Sequence, residues 1–458
     1  MDDGSRRLLI IGGGAAGMSA ATAARRLQPD KEIVVLERGP NVSFVLCGLP
    51  YFISGVVPDL QNLIVHAPEY FRAERNIDVR TAQDVKRIDT ESHAVEFADL
   101  RTREKGELSY DKLVITAGAQ PIVPSIRGLG LQGVFALRSL ESGAAIKNFI
   151  ARRPVRRAAI VGAGYIGLEM AESLKGAGAH VTMIEAGSSI LPGSEPEISA
   201  LIEAELQRHD IELLKQHLAL SIEPGPGATV GRVTTDSGDI EADMVLIAAG
   251  ARPDAAIARE TGIDVGETGG IVTDEGMRTN VPDIFAAGDC VEARHLLTGR
   301  PIFLPLGTTA NKQGRVAGEN ACGAHAVFPG ILGSLAFRLF DIEVARTGLS
   351  HDQARVAGFA PISATVRFPS RSQFYAGVEM MTVKLVADGR SGQLLGAQMA
   401  GSGTASKRID VAATALHATM TIADLIQLDL AYAPPLGTPW EGIQLAAQEL
   451  LRHAPTSG

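Results

Sequence analysis

Leu8-Leu9-Ile10-Ile11-Gly12-Gly13-Gly14-Ala15-Ala16-Gly17 decides the fold of this chain. Four consecutive apolar residues predict a short strand buried on both faces. The glycines that follow keep the G-x-G-x-x-G spacing at Gly12, Gly14 and Gly17, and an alanine-rich helix is expected from there to about Leu27. A second apolar strand, Ile33-Val34-Val35-Leu36, then ends in Glu37. In a βαβ unit of this kind the first glycine allows the tight turn, and the second lets backbone approach a pyrophosphate. The third permits close helix–strand packing. The helix N-terminus faces the phosphates, and a terminal acid accepts hydrogen bonds from a ribose.

The pattern recurs. Ala158-Ala159-Ile160-Val161 leads into Gly162-Ala163-Gly164-Tyr165-Ile166-Gly167, then a helix, then Val181-Thr182-Met183-Ile184 and Glu185. Two such units imply two dinucleotides, one held as a prosthetic group and one exchangeable reductant. A carboxylate at Glu185 would bond a free 2′-hydroxyl and repel a 2′-phosphate, and no arginine follows it closely. NADH is therefore expected over NADPH.

Composition sets the outer bounds. At 458 residues the chain exceeds one ordinary core, and two to four domains are expected. Apolar content of 45 % with 21 % charged residues describes a globular protein, and no run approaches the ~20 apolar residues of a membrane helix. Met1 to Arg7 lack the layout of a signal peptide. Three cysteines cannot build a disulfide framework, so a reducing cytoplasm is expected. The net charge of −9 gives no reason to bind nucleic acid, and no metal site is expected.

Cys47 stands in Ser43-Phe44-Val45-Leu46-Cys47-Gly48-Leu49-Pro50, far in sequence from Cys290 and Cys322. A single thiol downstream of a dinucleotide turn points to redox chemistry through one sulfur, cycling between thiolate and a sulfenic acid or mixed disulfide. The segment predicts a helix beginning at Cys47, whose N-terminus would favour the thiolate.

Two further segments echo each other: Tyr110-Asp111-Lys112-Leu113-Val114-Ile115-Thr116-Ala117-Gly118 and Asp243-Met244-Val245-Leu246-Ile247-Ala248-Ala249-Gly250. A third, Thr279-Asn280-Val281-Pro282-Asp283-Ile284-Phe285-Ala286-Ala287-Gly288-Asp289, follows. With these in order, the whole chain resembles the pyridine nucleotide–disulfide oxidoreductases. The resemblance implies an α/β fold with two dinucleotide-binding (Rossmann-like) domains, the NADH domain inserted in the FAD domain. Residues 1–120 and 271–330 would bind FAD. Residues 121–270 would form a linker, broken at Pro121, Pro124 and Pro154, and the NADH domain. After about Leu332, strand-like pieces precede helical stretches from about Ile409, so residues 331–458 are expected to form an α+β domain, the family's dimerisation domain. By resemblance Asp289 bonds the FAD ribityl chain, with Gly288, Glu37, Arg38, Ala117 and Gly118 also on the FAD side. Tyr165, Ile166, Glu169 and Gly250 fall on the NADH side, where the tyrosine covers the flavin and the glutamate lies beside the reacting rings. Cys290 reads as a small buried filler.

A dithiol cycle is not available here, because Val42 and Phe52 occupy the positions five residues either side of Cys47. The C-terminal Ala433-Pro434-Pro435-Leu436-Gly437-Thr438-Pro439-Trp440-Glu441 also contains no histidine. The segment from Ser43 to Tyr51 is similar instead to the single-cysteine branch of coenzyme A-disulfide reductases, NADH oxidases and NADH peroxidases. Ala15 replaces the histidine that peroxidases and many oxidases carry over the cysteine. Tyr375 and Tyr432 match the two tyrosines that flank the cysteine from the partner subunit in coenzyme A-disulfide reductases. Arg25 and Arg26 fall where that branch contacts the CoA phosphates, and Ser43 joins them as a substrate residue. Leu46 departs from the asparagine that several of these reductases place before the cysteine. The implied enzyme is a homodimer using NADH and FAD to reduce a small disulfide, CoA disulfide first, with CoA held at Cys47. Oxygen reduction at the flavin and polysulfide or CoA-persulfide reduction are the alternatives. The chain ends soon after Ala447, so no added sulfur-transfer domain is expected.

Overall fold

The structure, a computed structural model, describes residues 7–453. The reading of the first six residues as lacking a signal layout lies outside that range. The chain forms two compact units. The first comprises the chain up to Ile122 together with Arg138–Ala144 and Gly250–Ile331, and the second comprises the remainder.

In the first unit a parallel sheet runs in the order Ile284–Ala286, Lys112–Ile115, Leu8–Ile11, Ile33–Leu36, Asp78–Arg80. The strand Leu8–Ile11 is central and all four of its residues are buried, as a strand covered on both faces requires. The late strand Ile284–Ala286 returns to this first sheet beside Lys112–Ile115, so the second nucleotide unit is inserted in the first. The helix Ala15–Leu27 packs on the helix Gly307–Ala321 at backbone distance. A Cβ at Gly314 would stand 2.1 Å from the Ala16 carbonyl oxygen, and one at Gly318 would stand 2.2 Å from that of Ala20. Alanines on one helix and glycines on the other make that approach possible.

Besides a small antiparallel sheet of Ala219–Pro224, Val230–Thr235 and Gly238–Glu241, the second unit holds two five-stranded sheets. One is parallel, in the order Glu212–Lys215, His180–Glu185, Arg157–Val161, Met244–Ile247, Val134–Ala136. The other is antiparallel, in the order Leu335–Leu339, Ile342–Gly348, Leu394–Gly401, Met380–Asp388, Pro361–Pro369. The helices Ala405–His417, Ile422–Ile426 and Gly442–His453 follow it. This is the α+β arrangement expected after Leu332. Among the described residues no helix is long and apolar enough to cross a membrane.

Candidate active site

The first glycine turn is built as a cradle. Gly12 has φ +98°, and a Cβ there would meet the Thr116 carbonyl oxygen at 2.3 Å. A Cβ on Gly17 would lie 1.9 Å from the Gly12 carbonyl oxygen, whereas one on Gly14 would meet nothing within 4 Å. The two flanking glycines are demanded by the protein's own backbone, while the middle one faces open space that a pyrophosphate can approach. Glu37 spans the turn: its carboxylate accepts from the Gly13 N–H and from the Gly39 N–H, both at 2.6 Å. Burial raises the Glu37 pKa, offset in part by those two hydrogen bonds. Arg38 is mostly exposed and lies 3.7 Å from Asp84. Asp289 sits at the end of the late motif, where burial raises its pKa against the pull of Arg138 at 3.4 Å. Arg138 also donates to the Ala119 carbonyl at 2.6 Å. Sequence reading missed Arg138 because nothing local marks it: a 151-residue separation joins it to Asp289. Gly118 adopts φ +79°, and Thr116, one step before Ala117, donates its hydroxyl to the Ile11 and Gly12 carbonyls.

The second turn repeats the first. Gly162 has φ +109° and a Cβ there would stand 2.4 Å from the Ala248 carbonyl oxygen; one on Gly167 would stand 2.3 Å from Gly162, and one on Gly164 would meet nothing. Glu185 accepts from the Ala163 N–H at 2.8 Å and the Gly187 N–H at 2.7 Å. Tyr165 and Ile166 open the helix Tyr165–Gly176, and Gly250, with φ +107°, follows the strand Met244–Ile247. Glu169 on that helix has its pKa pushed up to about 7 by burial and then by the neighbouring Glu172 carboxylate.

The loop after Glu185 is gripped by the antiparallel sheet. Arg346, Gln398, Lys384 and Thr365 stand side by side on four neighbouring strands. Arg346 donates to the Pro192 carbonyl, and Gln398 donates to the Gly193 carbonyl at 2.7 Å while accepting from the Glu195 N–H at 2.8 Å. Buried Lys384 lies 2.9 Å from Glu195 and 2.8 Å from Glu197, and Thr365 reaches Glu197 at 3.2 Å. None of the four was singled out from sequence, since their common row exists only once the strands pair.

Cys47 is exposed. The helix expected to start there takes the form of a 3₁₀ turn, Leu46–Gly48, followed by the six-residue helix Leu49–Ser54. A helix this short carries a small dipole, so little thiolate stabilisation can be assigned to it. Ser43 joins this segment to the glycine turn: its N–H donates to the Gly13 carbonyl at 2.9 Å, with φ +51°. Cys290 is fully buried, its thiol pKa pushed up to about 12 by burial. Cys322 is half-buried and also raised by burial.

The two tyrosines lie in loops of the second unit, each close to half exposed. Tyr432 shares a 3.2 Å hydrogen bond with Ser372, and the Tyr375 N–H donates to the Ser372 carbonyl at 2.9 Å. The arginine pair divides. The Arg25 guanidinium donates to the carbonyls of Gln28, Pro29, Arg75 and Asn76, closing the ends of two helices. Arg26 is exposed.

Residues 6–314 match the pyridine nucleotide-disulphide oxidoreductase family, and residues 336–441 match its dimerisation domain. The chain belongs to that family, a class of oxidoreductases that work with FAD and NAD(P)H, and it carries the family's dimerisation domain. It is 39 % identical to the NAD(P)H sulfur oxidoreductase (CoA-dependent) of Pyrococcus abyssi over 94 % of this chain and 95 % of that one. It is 30 % identical to a coenzyme A disulfide reductase of Staphylococcus aureus over 93 % of this chain and 95 % of that one. The solved NAD-dependent persulfide reductase from A. fulgidus superposes with a TM-score of 0.95 at 37 % identity, covering 98 % of this chain and 83 % of that one.

Proposed function

We propose that this chain, as a homodimer, uses NADH to reduce a small disulfide, CoA disulfide before others, through Cys47. The observation that carries this reading is the placement of Cys47: an exposed thiol, in a segment bonded through Ser43 to the first glycine turn, while Cys290 is buried and Cys322 half-buried. On this reading residues 1–120 and 271–330 bind FAD, 121–270 bind NADH and 331–458 form the dimer contact. Gly12, Gly14, Gly17, Glu37 and Asp289 would hold FAD, and Gly162, Gly164, Gly167, Tyr165, Glu169 and Glu185 would hold NADH. The cradles support this, because each middle glycine faces open space and each acid already fixes its turn. Bound FAD would carry two electrons from the NADH hydride to the oxidised Cys47 sulfur.

The chain's own residues supply the rest. The Cys47 thiolate attacks one sulfur of the disulfide; that S–S bond breaks, a bond between Cys47 and one CoA sulfur forms, and the other CoA leaves as thiolate. The Tyr432 phenol of the partner subunit gives that thiolate a proton, with Tyr375 beside it. With Arg25 engaged by four carbonyls, Arg26 is the arginine left to meet a CoA phosphate. Persulfide reduction is the second reading, favoured by the higher identity to the sulfur and persulfide reductases than to the CoA disulfide reductase. In both, the sulfur of Cys47 is the acceptor of electrons.

The Cys47→Ser variant tests the shared step. Steady-state reduction of CoA disulfide and of CoA persulfide should fall to background while NADH still bleaches the flavin at the wild-type rate. Disulfide turnover that survives in this variant overturns the mechanism. The ratio of kcat/KM for the two substrates on the wild-type enzyme then chooses between them.

A further inference from the structure

Ser372 is 6 % exposed and was not marked by any sequence motif. It lies between the strands Pro361–Pro369 and Met380–Asp388, in a loop closed by the Ser370 N–H donating to the Glu379 carbonyl at 2.8 Å. All three of its polar groups are used on the tyrosine loops. Its carbonyl accepts from the Tyr375 N–H at 2.9 Å, and its N–H donates to the Pro434 carbonyl, two residues past Tyr432, at 3.1 Å. Its hydroxyl meets the Tyr432 hydroxyl at 3.2 Å and the Gly437 carbonyl at 3.5 Å. The two loops are further stapled by Arg408, which donates to the Ser370 carbonyl at 2.8 Å and the Leu436 carbonyl at 3.1 Å, and pairs with Glu441.

This arrangement has a chemical consequence. A serine hydroxyl has one proton and two lone pairs, and it rotates freely between donating and accepting. Facing a neutral phenol, it accepts a hydrogen bond from the Tyr432 O–H while its own O–H is directed at the Gly437 carbonyl. Facing a phenolate, it turns and donates. A donor aimed at a newly formed oxyanion makes loss of the phenol proton easier.

We propose that Ser372 is a positioning residue for the reduction of the disulfide: it fixes the Tyr432 hydroxyl against the Tyr375 turn and stabilises the phenolate left when Tyr432 protonates the departing thiolate. The proton passes from the Tyr432 oxygen to the thiolate sulfur, no electrons move in that step, and water returns the proton afterwards. The inference rests on the reading of Tyr432 as the acid.

The test uses the FAD-loaded dimer and separates the two half-reactions by rapid mixing. Ser372→Ala should leave flavin reduction by NADH within about twofold of wild type. Reoxidation by CoA disulfide should slow roughly tenfold, as loss of a tuned acid does, and its alkaline limb should move to higher pH. Ser372→Thr, which restores a hydroxyl, should recover both. Ser372→Gly keeps the two backbone bonds and should behave as alanine does, which guards against a folding defect in the alanine variant. In a Tyr432→Phe background, Ser372→Ala should cost nothing further. A Ser372→Ala enzyme with an unshifted pH profile, or one whose loss adds in full to that of Tyr432→Phe, overturns the proposal. If Tyr432→Phe alone reoxidises at the wild-type rate, the reading of Tyr432 as the acid fails instead.

Discussion

The arms that follow the two glycine turns are the same for six residues and then part. Glu37 and Glu185 each close their turn with one backbone N–H before and one two residues after. Val42 and Ile190, five residues past each acid, are both fully buried. Ser43 and Leu191, six past, both adopt a left-handed backbone, φ +51° and +49°, and both donate at 2.9 Å to the second residue of their turn, Gly13 and Ala163. At the tenth position the arms diverge. One places Cys47 in the open at a 3₁₀ turn; the other places Glu195 in the interior, before the helix Pro196–Arg208, tied to Lys384. One backbone design therefore serves two ends. In the first unit it ends at an exposed thiol, and in the second it anchors the loop after Glu185 to the antiparallel sheet.

Four substitutions break or sharpen that comparison. The strongest removes one turn while leaving the other. A Cβ at Gly17 has no room, so Gly17→Ala should yield protein without flavin absorbance. Gly167→Ala should keep flavin but raise KM for NADH by roughly 100-fold, on the scale of about 3 kcal/mol for overpacking. Equal loss of flavin in both variants would show that the turns are not independent sites.

A smaller effect is expected from the anchor. Lys384→Met leaves the buried Glu195 carboxylate without its cation, which should cost about 3–5 kcal/mol of stability in the second unit. At temperatures where the variant stays folded, KM for NADH should rise while the rate of Cys47 alkylation stays as in wild type. A change at Cys47 of the same size would mean the two arms are coupled.

The smallest effect is a pH dependence on the NADH side alone. With its pKa pushed up to about 7, the Glu169 carboxyl is neutral at pH 6 and ionised at pH 8. A nicotinamide becomes cationic as hydride leaves, so the ionised form should assist. Flavin reduction by NADH should increase a few-fold through pH 7, and Glu169→Gln should make it flat. A midpoint that persists in Glu169→Gln assigns the titration to another group.

Much of this was legible in the chain. The glycine spacings and the strand-ending acids are local patterns whose geometry is dictated by sterics, and the structure shows the strand, turn and helix they imply. The strand Ile284–Ala286 was readable for the same reason, although its place beside Lys112–Ile115 is a matter of topology. Arg25 shows the opposite case. Its sequence position suggested a phosphate ligand, but a guanidinium folds onto whatever carbonyls lie within reach, and those belong to residues 28, 29, 75 and 76.

The sequence by itself determined the two glycine-turn units, their order and the isolated position of Cys47 in the chain, because turns, short buried strands and acid positions are set within a few residues of chain. Only the tertiary structure decided what holds them: the Arg346–Gln398–Lys384–Thr365 row, Arg138 on Asp289, and Ser372 between two tyrosines. Those contacts join residues tens to hundreds of positions apart, and side chains that meet across strands and loops leave no periodicity or spacing to read.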